Sequence, residues 1–224
     1  KMPQAKNKKI LIYFFLFLMI LILNNKNLNF EDLIKIKKVS IQGLDDVNNF
    51  QLKNDLKFLD LKNLLFLKKI KISKVIEKNN LIENYTVFKR YPSTLNIEIN
   101  KTIFLAQFKK ADQNFILGNN RKLIEVSNTK TDLPFIFGDF KIINFFDLKK
   151  AIDQTNLNYY EIRNFFFFKS GRWDIETKEG LLIKLPKNEI TKSLRLLLSF
   201  LNENNEKKIN KIDLRQHNQI IINE

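Results

Sequence analysis

Residues 88–99 read FKRYPSTLNIEI and hold the pattern that decides the fold. Leu95, Ile97 and Ile99 alternate strictly with polar residues, which is typical of a strand that buries one face. The Tyr-Pro pair before them marks a turn, and the stretch before that pair also alternates. This segment therefore predicts two strands joined by a turn.

The residues before this segment predict one strand and two helices. IKIKKVSIQG, which begins at Ile34, reads as a strand that ends at Gly43. Residues 68–78 have the apolar spacing of a second helix. The first helix has an apolar face formed by Phe50, Leu52, Leu56 and Leu59. The predicted order is therefore β-α-α-β-β, which is a compact unit.

Beyond Lys101 the pattern becomes mainly β. Residues 114–117 and 123–126 read as strands around a tight turn, and 132–138 read as a loop closed by Gly138. Residues 173–177 and 181–185 form a hairpin pattern with a glycine at the turn.

Two helices and a final strand complete this region. Asn144 is predicted to cap the first helix, which carries Phe145, Leu148 and Ile152. The other helix of this region has an apolar stripe formed by Ile190, Leu194, Leu197, Leu198 and Leu201. Residues 211–222 are predicted to close the chain as one strand.

An unbroken apolar segment, ILIYFFLFLMILIL, covers residues 10–23 near the start of the chain. As a helix it would be about 21 Å long, short of a bilayer core, but Lys9 and Lys26 can extend its reach. A cleaved signal peptide is disfavoured because no small-x-small site follows it. A buried core helix is disfavoured because no face is polar. We expect an uncleaved membrane anchor, followed by a connector at 28–32.

Composition excludes several classes of function. The chain has 224 residues and a formal charge of +15, but its 39 basic residues include only six arginines. Nucleic-acid surfaces usually carry more arginine, so no nucleic-acid partner is predicted.

With no cysteine and one histidine, thiolate sites and most histidine-based catalysis are excluded. Asp174 and Glu176 alternate on a predicted strand, where we expect a charged exterior rather than a catalytic pair. No enzyme activity and no cofactor are predicted.

Six segments, in their order along the chain, resemble one known family. FKRYPSTLNIEI is similar to the closing strands of that family's POTRA domain, and ILGNNR at 116–121 is similar to a turn in the next domain. The other segments are 103–108, 133–138, 172–180 with RWDI, and 212–215 with IDLR. Following one apolar segment and covering nearly the whole chain, they resemble the FtsQ/DivIB family of bacterial division proteins.

The resemblance implies an α+β fold with four parts. These are a cytoplasmic tail at 1–9, a transmembrane helix at 10–27, a small POTRA domain at 34–101, and a mainly antiparallel β domain with packed helices at 102–224. The bulk of the chain would lie in the periplasm, outside a bacterial inner membrane that it crosses once.

The resemblance also implies a non-enzymatic scaffold of the division complex. It would bind FtsB-like and FtsL-like proteins, contact other division proteins, and help to control septal peptidoglycan synthesis. The alternative is a POTRA-bearing export or assembly component, or another membrane-anchored periplasmic adaptor. Export components usually carry several POTRA units or a membrane barrel, for which about 120 remaining residues are too few.

A terminal strand leaves an edge of unpaired backbone groups that can accept a partner strand. In the family this strand is the FtsB site. The predicted partner-binding residues are Arg215, Gln216, His217, Asn218, Gln219, Ile220, Ile221 and Ile222. Arg215 is the candidate for a two-pronged contact with a partner carboxylate. For Ile220 and Ile222, packing in the protein's own core is an alternative of equal weight to partner binding. His217 is expected to be an exposed residue rather than one whose protonation acts as a pH switch.

The run of four phenylalanines at 165–168 has three possible interpretations. It could be a fully buried strand, a seam between a sheet and a helix, or a second docking patch.

Overall fold

A computed structural model describes residues 5–24, 34–127, 132–203 and 209–223. The predicted connector at 28–32, residues 1–4 of the predicted tail and residues 25–27 of the predicted anchor lie outside these ranges. The chain divides into two compact units. The first takes in the described residues up to 79 together with 84–100, and the second takes in 80–83 and the described residues from 101 onward.

The first helix, α1 (Ala5–Asn24), carries the apolar segment. Its large side chains from Ile10 to Ile22 are exposed. Within the described residues, no helix combines the length and apolar character that crossing a membrane requires. The predicted anchor stays a prediction.

The N-terminal domain has the predicted β-α-α-β-β order. Its elements are β1 (Lys38–Gln42), α2 (Asp46–Asp55), a 3-10 turn (Lys57–Leu59), α3 (Lys69–Ile76), β2 (Ile82–Arg90) and β3 (Thr94–Lys101). The strands form a sheet in the order β1-β3-β2, in which β1 and β3 are parallel. Leu95, Ile97 and Ile99 are buried, which confirms the predicted face of the central strand.

Two details of the first half of this domain differ from the predictions. β1 begins at Lys38 rather than Ile34, and Lys35 instead forms an isolated bridge with Asn63. Phe50 is 66% exposed, although it was predicted to share a face with Leu52. Two residues apart on a helix are about 200° apart around the axis, so burial of Leu52 turns Phe50 toward solvent.

The second unit contains one nine-stranded sheet. Its strands are β4 (Phe104–Lys110), β5 (Gln113–Gly118), β6 (Leu123–Val126), β7 (Phe135–Phe137), β8 (Ile162–Phe167), β9 (Trp173–Thr177), β10 (Leu182–Lys184), β11 (Lys211–Asp213) and β12 (Ile221–Asn223). Their order is β12-β11-β10-β9-β8-β7-β4-β5-β6. Five neighbouring pairs are antiparallel, and three, namely β4–β7, β7–β8 and β10–β11, are parallel.

Two of the parallel pairs explain where the helices lie. A parallel pair needs a long crossover, and here α4 (Ile142–Asp153) connects β7 to β8, and α5 (Ile190–Glu203) connects β10 to β11. Both helices contribute buried residues, including Phe145 and Leu197, to a core shared with Phe165 and Trp173. The helices therefore cover one face of the sheet.

Two predictions for this unit were wrong in detail. The predicted loop at 132–138 contains β7, a three-residue strand between β4 and β8 that is too short to show alternation. Asn144 is not the cap of α4, which begins two residues earlier at Ile142. Its side chain instead accepts a hydrogen bond from the Lys141 backbone amide, at 3.2 Å.

The phenylalanine run is an alternating strand, not a fully buried one. Phe165 is fully buried, and Phe167 packs against the same core. Phe166 is half-buried on the opposite face and stacks on Phe137 of β7. Phe168 is exposed, with the Arg172 guanidinium 4.4 Å from the centre of its ring.

Candidate functional site

The last strand-forming segment is two strands, not the single strand predicted for 211–222. β11 and β12 run antiparallel, with Asp213 opposite Ile221 and Ile212 opposite Ile222. β11 lies between β10 and β12, so its backbone is already paired on both sides. Of these two strands, β12 is the one at the edge of the sheet, and among the described residues no strand pairs with its outer side.

The predicted binding run divides between a connection and this edge strand. Residues 215–219 are exposed and belong to the connection between β11 and β12. The Gln219 backbone amide donates a hydrogen bond to the Gln216 carbonyl, at 3.3 Å. Asn218 has φ = 54°, a left-handed conformation that asparagine tolerates better than most residues. The turn reverses the chain and brings Ile221 beside Asp213.

The isoleucines at the end of the chain have different roles. Ile220 and Ile222 are half-buried against the core, which favours the packing alternative for both. Ile221 is 51% exposed, and its side chain lies on the face of the sheet opposite that of Ile222. Of the three, Ile221 is the side chain available to a partner.

A continuous row of side chains crosses this outer face of the sheet. Paired residues on neighbouring strands have side chains on the same face, so the strand registers define the row. From β8 to β12 it consists of Phe166, Asp174, Lys184, Asp213 and Ile221. The charged part of the row therefore ends at the exposed isoleucine of the edge strand.

Asp213 holds Arg215 in place beside the edge. The Nε of Arg215 donates to both carboxylate oxygens of Asp213, at 2.8 and 2.9 Å, and its backbone amide donates at 3.0 Å. The hydrogen bond from the Arg215 side chain lowers the pKa of Asp213 below its ordinary range. The arginine is thus preorganised, and its remaining N–H groups stay available to a second carboxylate.

The sequence predicted that Asp174 lies on a charged exterior, and this prediction was wrong. Asp174 is only 4% exposed, and burial raises its pKa, while Arg172, Lys184 and Arg215 pull the pKa back down. Its carboxylate lies 3.3 Å from the Nε of Arg172. Three cations thus surround Asp174 and Asp213, so the cluster keeps one positive charge in excess when both carboxylates are ionised.

The two aspartates should respond to pH in opposite directions. Because the pKa of Asp213 is lowered by folding, its contribution to stability is present at neutral pH and is lost as pH falls through the folded pKa. We expect Asp213→Asn to cost about 1–2 kcal/mol at pH 7 and less near pH 3. Because the pKa of Asp174 is raised, Asp174→Asn should become relatively more stable as pH rises.

Urea unfolding at several pH values, followed by the fluorescence of the single tryptophan, measures both effects. Parallel pH slopes for the two variants would contradict this assignment of the charges.

A cleft of about 710 Å³ lies beside the connection. One wall is formed by residues 214–218 of the predicted run, and the other comes from α5 and from residues 186–189. His217 is exposed, and its Nδ1 lies 3.4 Å from a carboxylate oxygen of Glu189, which is also exposed. The structure therefore brings the first half of the predicted run to a cleft and the second half to a sheet edge.

Two comparisons with known proteins bear on the family of this chain. Residues 34–101 match the family model described as POTRA domain, FtsQ-type. Over 167 residues the chain is 25% identical to the cell division protein FtsQ of Bradyrhizobium diazoefficiens. Both matches support the assignment of the chain to the FtsQ/DivIB family. The aligned part is 71% of this chain and 48% of that relative, so the chain spans about half of the relative's length.

Two of the segments that resemble the FtsQ/DivIB family meet at the candidate site. RWDI supplies Arg172 and Asp174 on and just before β9, and IDLR supplies Asp213 and Arg215 on and just after β11. Lys184 of β10 lies between them, opposite both aspartates. Segments about 40 residues apart in the sequence thus form one charged cluster.

Sequence reasoning missed Lys184, Asp213 and the burial of Asp174. The alternation of charged and apolar residues around Trp173 was visible, but it does not say which strands flank β9. In the part of the chain that the structure describes, no group of three or more acidic or histidine side chains could hold a metal ion.

Proposed function

We propose that this FtsQ/DivIB-family chain is a non-enzymatic adaptor of the bacterial division complex, and that β12 binds a strand of an FtsB-like protein. One observation carries the proposal: among the described residues, no strand pairs with the outer side of β12. An unpaired edge is an energetic liability unless it is covered or used. The family and the name of the Bradyrhizobium relative support a role in division.

The side chains around β12 favour a particular chemistry for the proposed partner strand. A strand added to β12 would place one side chain opposite Ile221, continuing the row from Asp213. Because Ile221 is exposed and apolar, an apolar or aromatic residue fits there. A carboxylate nearby would meet the remaining N–H groups of Arg215, in a cluster that has one positive charge in excess.

The proposal also includes the setting of the adaptor. Apolar residues 10–22 of α1 would anchor the chain in the bacterial inner membrane, with the N-terminus in the cytoplasm and the domains in the periplasm. The lysines before this segment support that orientation, since positive residues are retained inside. An FtsL-like protein would join through the FtsB-like partner, and the assembly would help to control septal peptidoglycan synthesis.

The test is binding of a synthetic peptide from the host's FtsB-like protein to the purified full chain. Two versions of the peptide carry N-methyl groups at alternate positions of the pairing strand. In one version the methyl groups replace the amide hydrogens that would bond to β12, and in the other they replace the amide hydrogens that face solvent. Only the first version should therefore lose binding, by at least roughly tenfold. The protein itself is unchanged in this comparison, so its folding is not in question.

Variants of the chain test the side-chain contacts. Arg215→Glu should weaken binding by roughly tenfold or more, because a carboxylate then faces the partner's carboxylate. Lys110→Glu is the matched charge reversal: Lys110 is exposed at the end of β4, which is far from β12 in the strand order, and this change should leave the affinity unchanged. Equal affinity for both N-methylated peptides, together with no effect of Arg215→Glu, would place the partner site elsewhere.

A further inference from the structure

Residues 34–36, the first described residues of the N-terminal domain after α1, contact one particular loop of this domain. Residue 34 is ten residues after the end of α1, a span of at most about 36 Å. Ile34 and Ile36 are hydrogen-bonded to the loop that follows the 3-10 turn. The Ile36 amide donates to the Lys62 carbonyl, and the Leu64 amide donates to the Ile34 carbonyl, both at 2.9 Å. This loop therefore lies beside the residues at which the described part of the N-terminal domain begins.

The same loop exposes large apolar side chains. Phe66 is 82% exposed, Leu61 71% and Leu65 48%. The loop is well held, since Leu64 is fully buried and the Leu65 carbonyl accepts a hydrogen bond from Lys89, at 2.9 Å. Exposure of Phe66 is thus a feature of the folded loop. Together with Phe58, it lines an apolar groove of about 410 Å³.

Lysines surround this groove. Lys62, Lys68 and Lys71 line it, and Lys69 lies between the last two. From 61 to 76 the sequence contains no aspartate or glutamate. In the described part of the chain, these four lysines form no ion pair. Helix stability does not explain them, because cations near the N-terminus of α3 are mildly unfavourable.

We propose that this surface, residues 58–71, docks the N-terminal domain onto an anionic lipid bilayer. Exposed phenylalanine and leucine side chains insert at the boundary between headgroups and acyl chains, and the lysines pair with anionic headgroups. The surface lies beside the first described residues of the domain after the proposed anchor, and its positive charge is complementary to such lipids. The inference rests on the anchoring proposed above, but not on the partner site.

The test uses the full chain in lipid nanodiscs. Because the chain has no cysteine, a nitroxide label can be attached to one introduced cysteine, Leu65→Cys, with Phe58 and Phe66 left in place. In discs containing phosphatidylglycerol, collisions of this label with a water-soluble nickel complex should fall roughly threefold relative to phosphatidylcholine discs. Collisions with oxygen, which concentrates in lipid, should rise.

Val47→Cys is the matched control within the same domain. Val47 is 75% exposed at the start of α2, and the 3-10 turn begins ten residues later, about 15 Å along the helix direction. Its label should be equally accessible in both discs. A second variant, Lys62→Glu with Lys68→Glu and Lys71→Glu, should restore the accessibility of the label at position 65.

Two outcomes would overturn the proposal. A label at 65 that stays as accessible as the label at 47 in anionic discs would exclude docking, and equal protection in both lipids would exclude recognition of negative charge. Failure of the anchor is a separate result, because a chain without an anchor would not remain with the phosphatidylcholine discs, which offer the lysines no negative charge.

Discussion

Replacing Phe165 by alanine is expected to cost the β domain about 3–5 kcal/mol, whereas replacing its neighbour Phe166 should cost about 1 kcal/mol. Phe165 is fully buried, with its ring centre 5.6 Å from that of Phe145 and 6.3 Å from that of Trp173. Its loss leaves a cavity in the centre of the core. Phe166 lies on the other face and loses mainly its stacking on Phe137, 5.1 Å away.

Thermal or urea unfolding followed by Trp173 fluorescence measures this pair. Trp173 is the single tryptophan and lies in the same core, so it reports on the β domain. Phe165→Ala should lower the melting temperature by roughly 10–20 °C, and Phe166→Ala by only a few degrees. Equal losses for two adjacent residues would mean that the strand does not alternate between a core face and an outer face.

Gly138→Ala should be the second severe change, with an expected cost above about 3 kcal/mol. Gly138 follows β7 with φ = 101°, and a Cβ built there would lie 2.2 Å from the Phe167 carbonyl oxygen. That oxygen belongs to the backbone of β8, so the contact can be relieved only by moving one strand away from the other. The change should therefore disturb the parallel β7–β8 pair at the centre of the sheet.

Gly180→Ala is the matched control for this glycine. Gly180 also has positive φ, at 90°, but a Cβ there would have no neighbour within 4 Å. It tests backbone strain alone, which should cost about 1 kcal/mol. If the two alanine variants unfolded at the same urea concentration, the close approach of β8 to Gly138 would add nothing to the loss of unfolding free energy.

The order of elements could largely be predicted from the sequence, because it depends on residues close together in the chain. The alternation of Leu95, Ile97 and Ile99 reports a strand that buries one face, since successive side chains point to opposite faces. The apolar stripe of α5 and the glycine of the β9–β10 hairpin are equally local signals. The six family-like segments are also readable from the chain alone.

The candidate site was located from the sequence only in outline. Residues 215–222 were assigned to one edge strand, but the chain reverses at Gln216–Gln219 and only its last residues pair with β11. Ile220 through Ile222 look alike in the sequence, yet their burial differs because β12 has one face against the core. The ion pair that orients Arg215 could not be foreseen without the side-chain geometry.

Neighbouring residues encode periodicity and turn geometry, so the sequence was enough to predict most helices and strands, most turns and the family that the chain resembles. Which strands are neighbours became clear only from the folded chain. There β7 lies between β4 and β8, Asp174 is buried opposite Lys184, and β12 lies at the edge. Strand pairing joins residues far apart in the chain, and it is selected by packing against the shared core rather than by any local pattern.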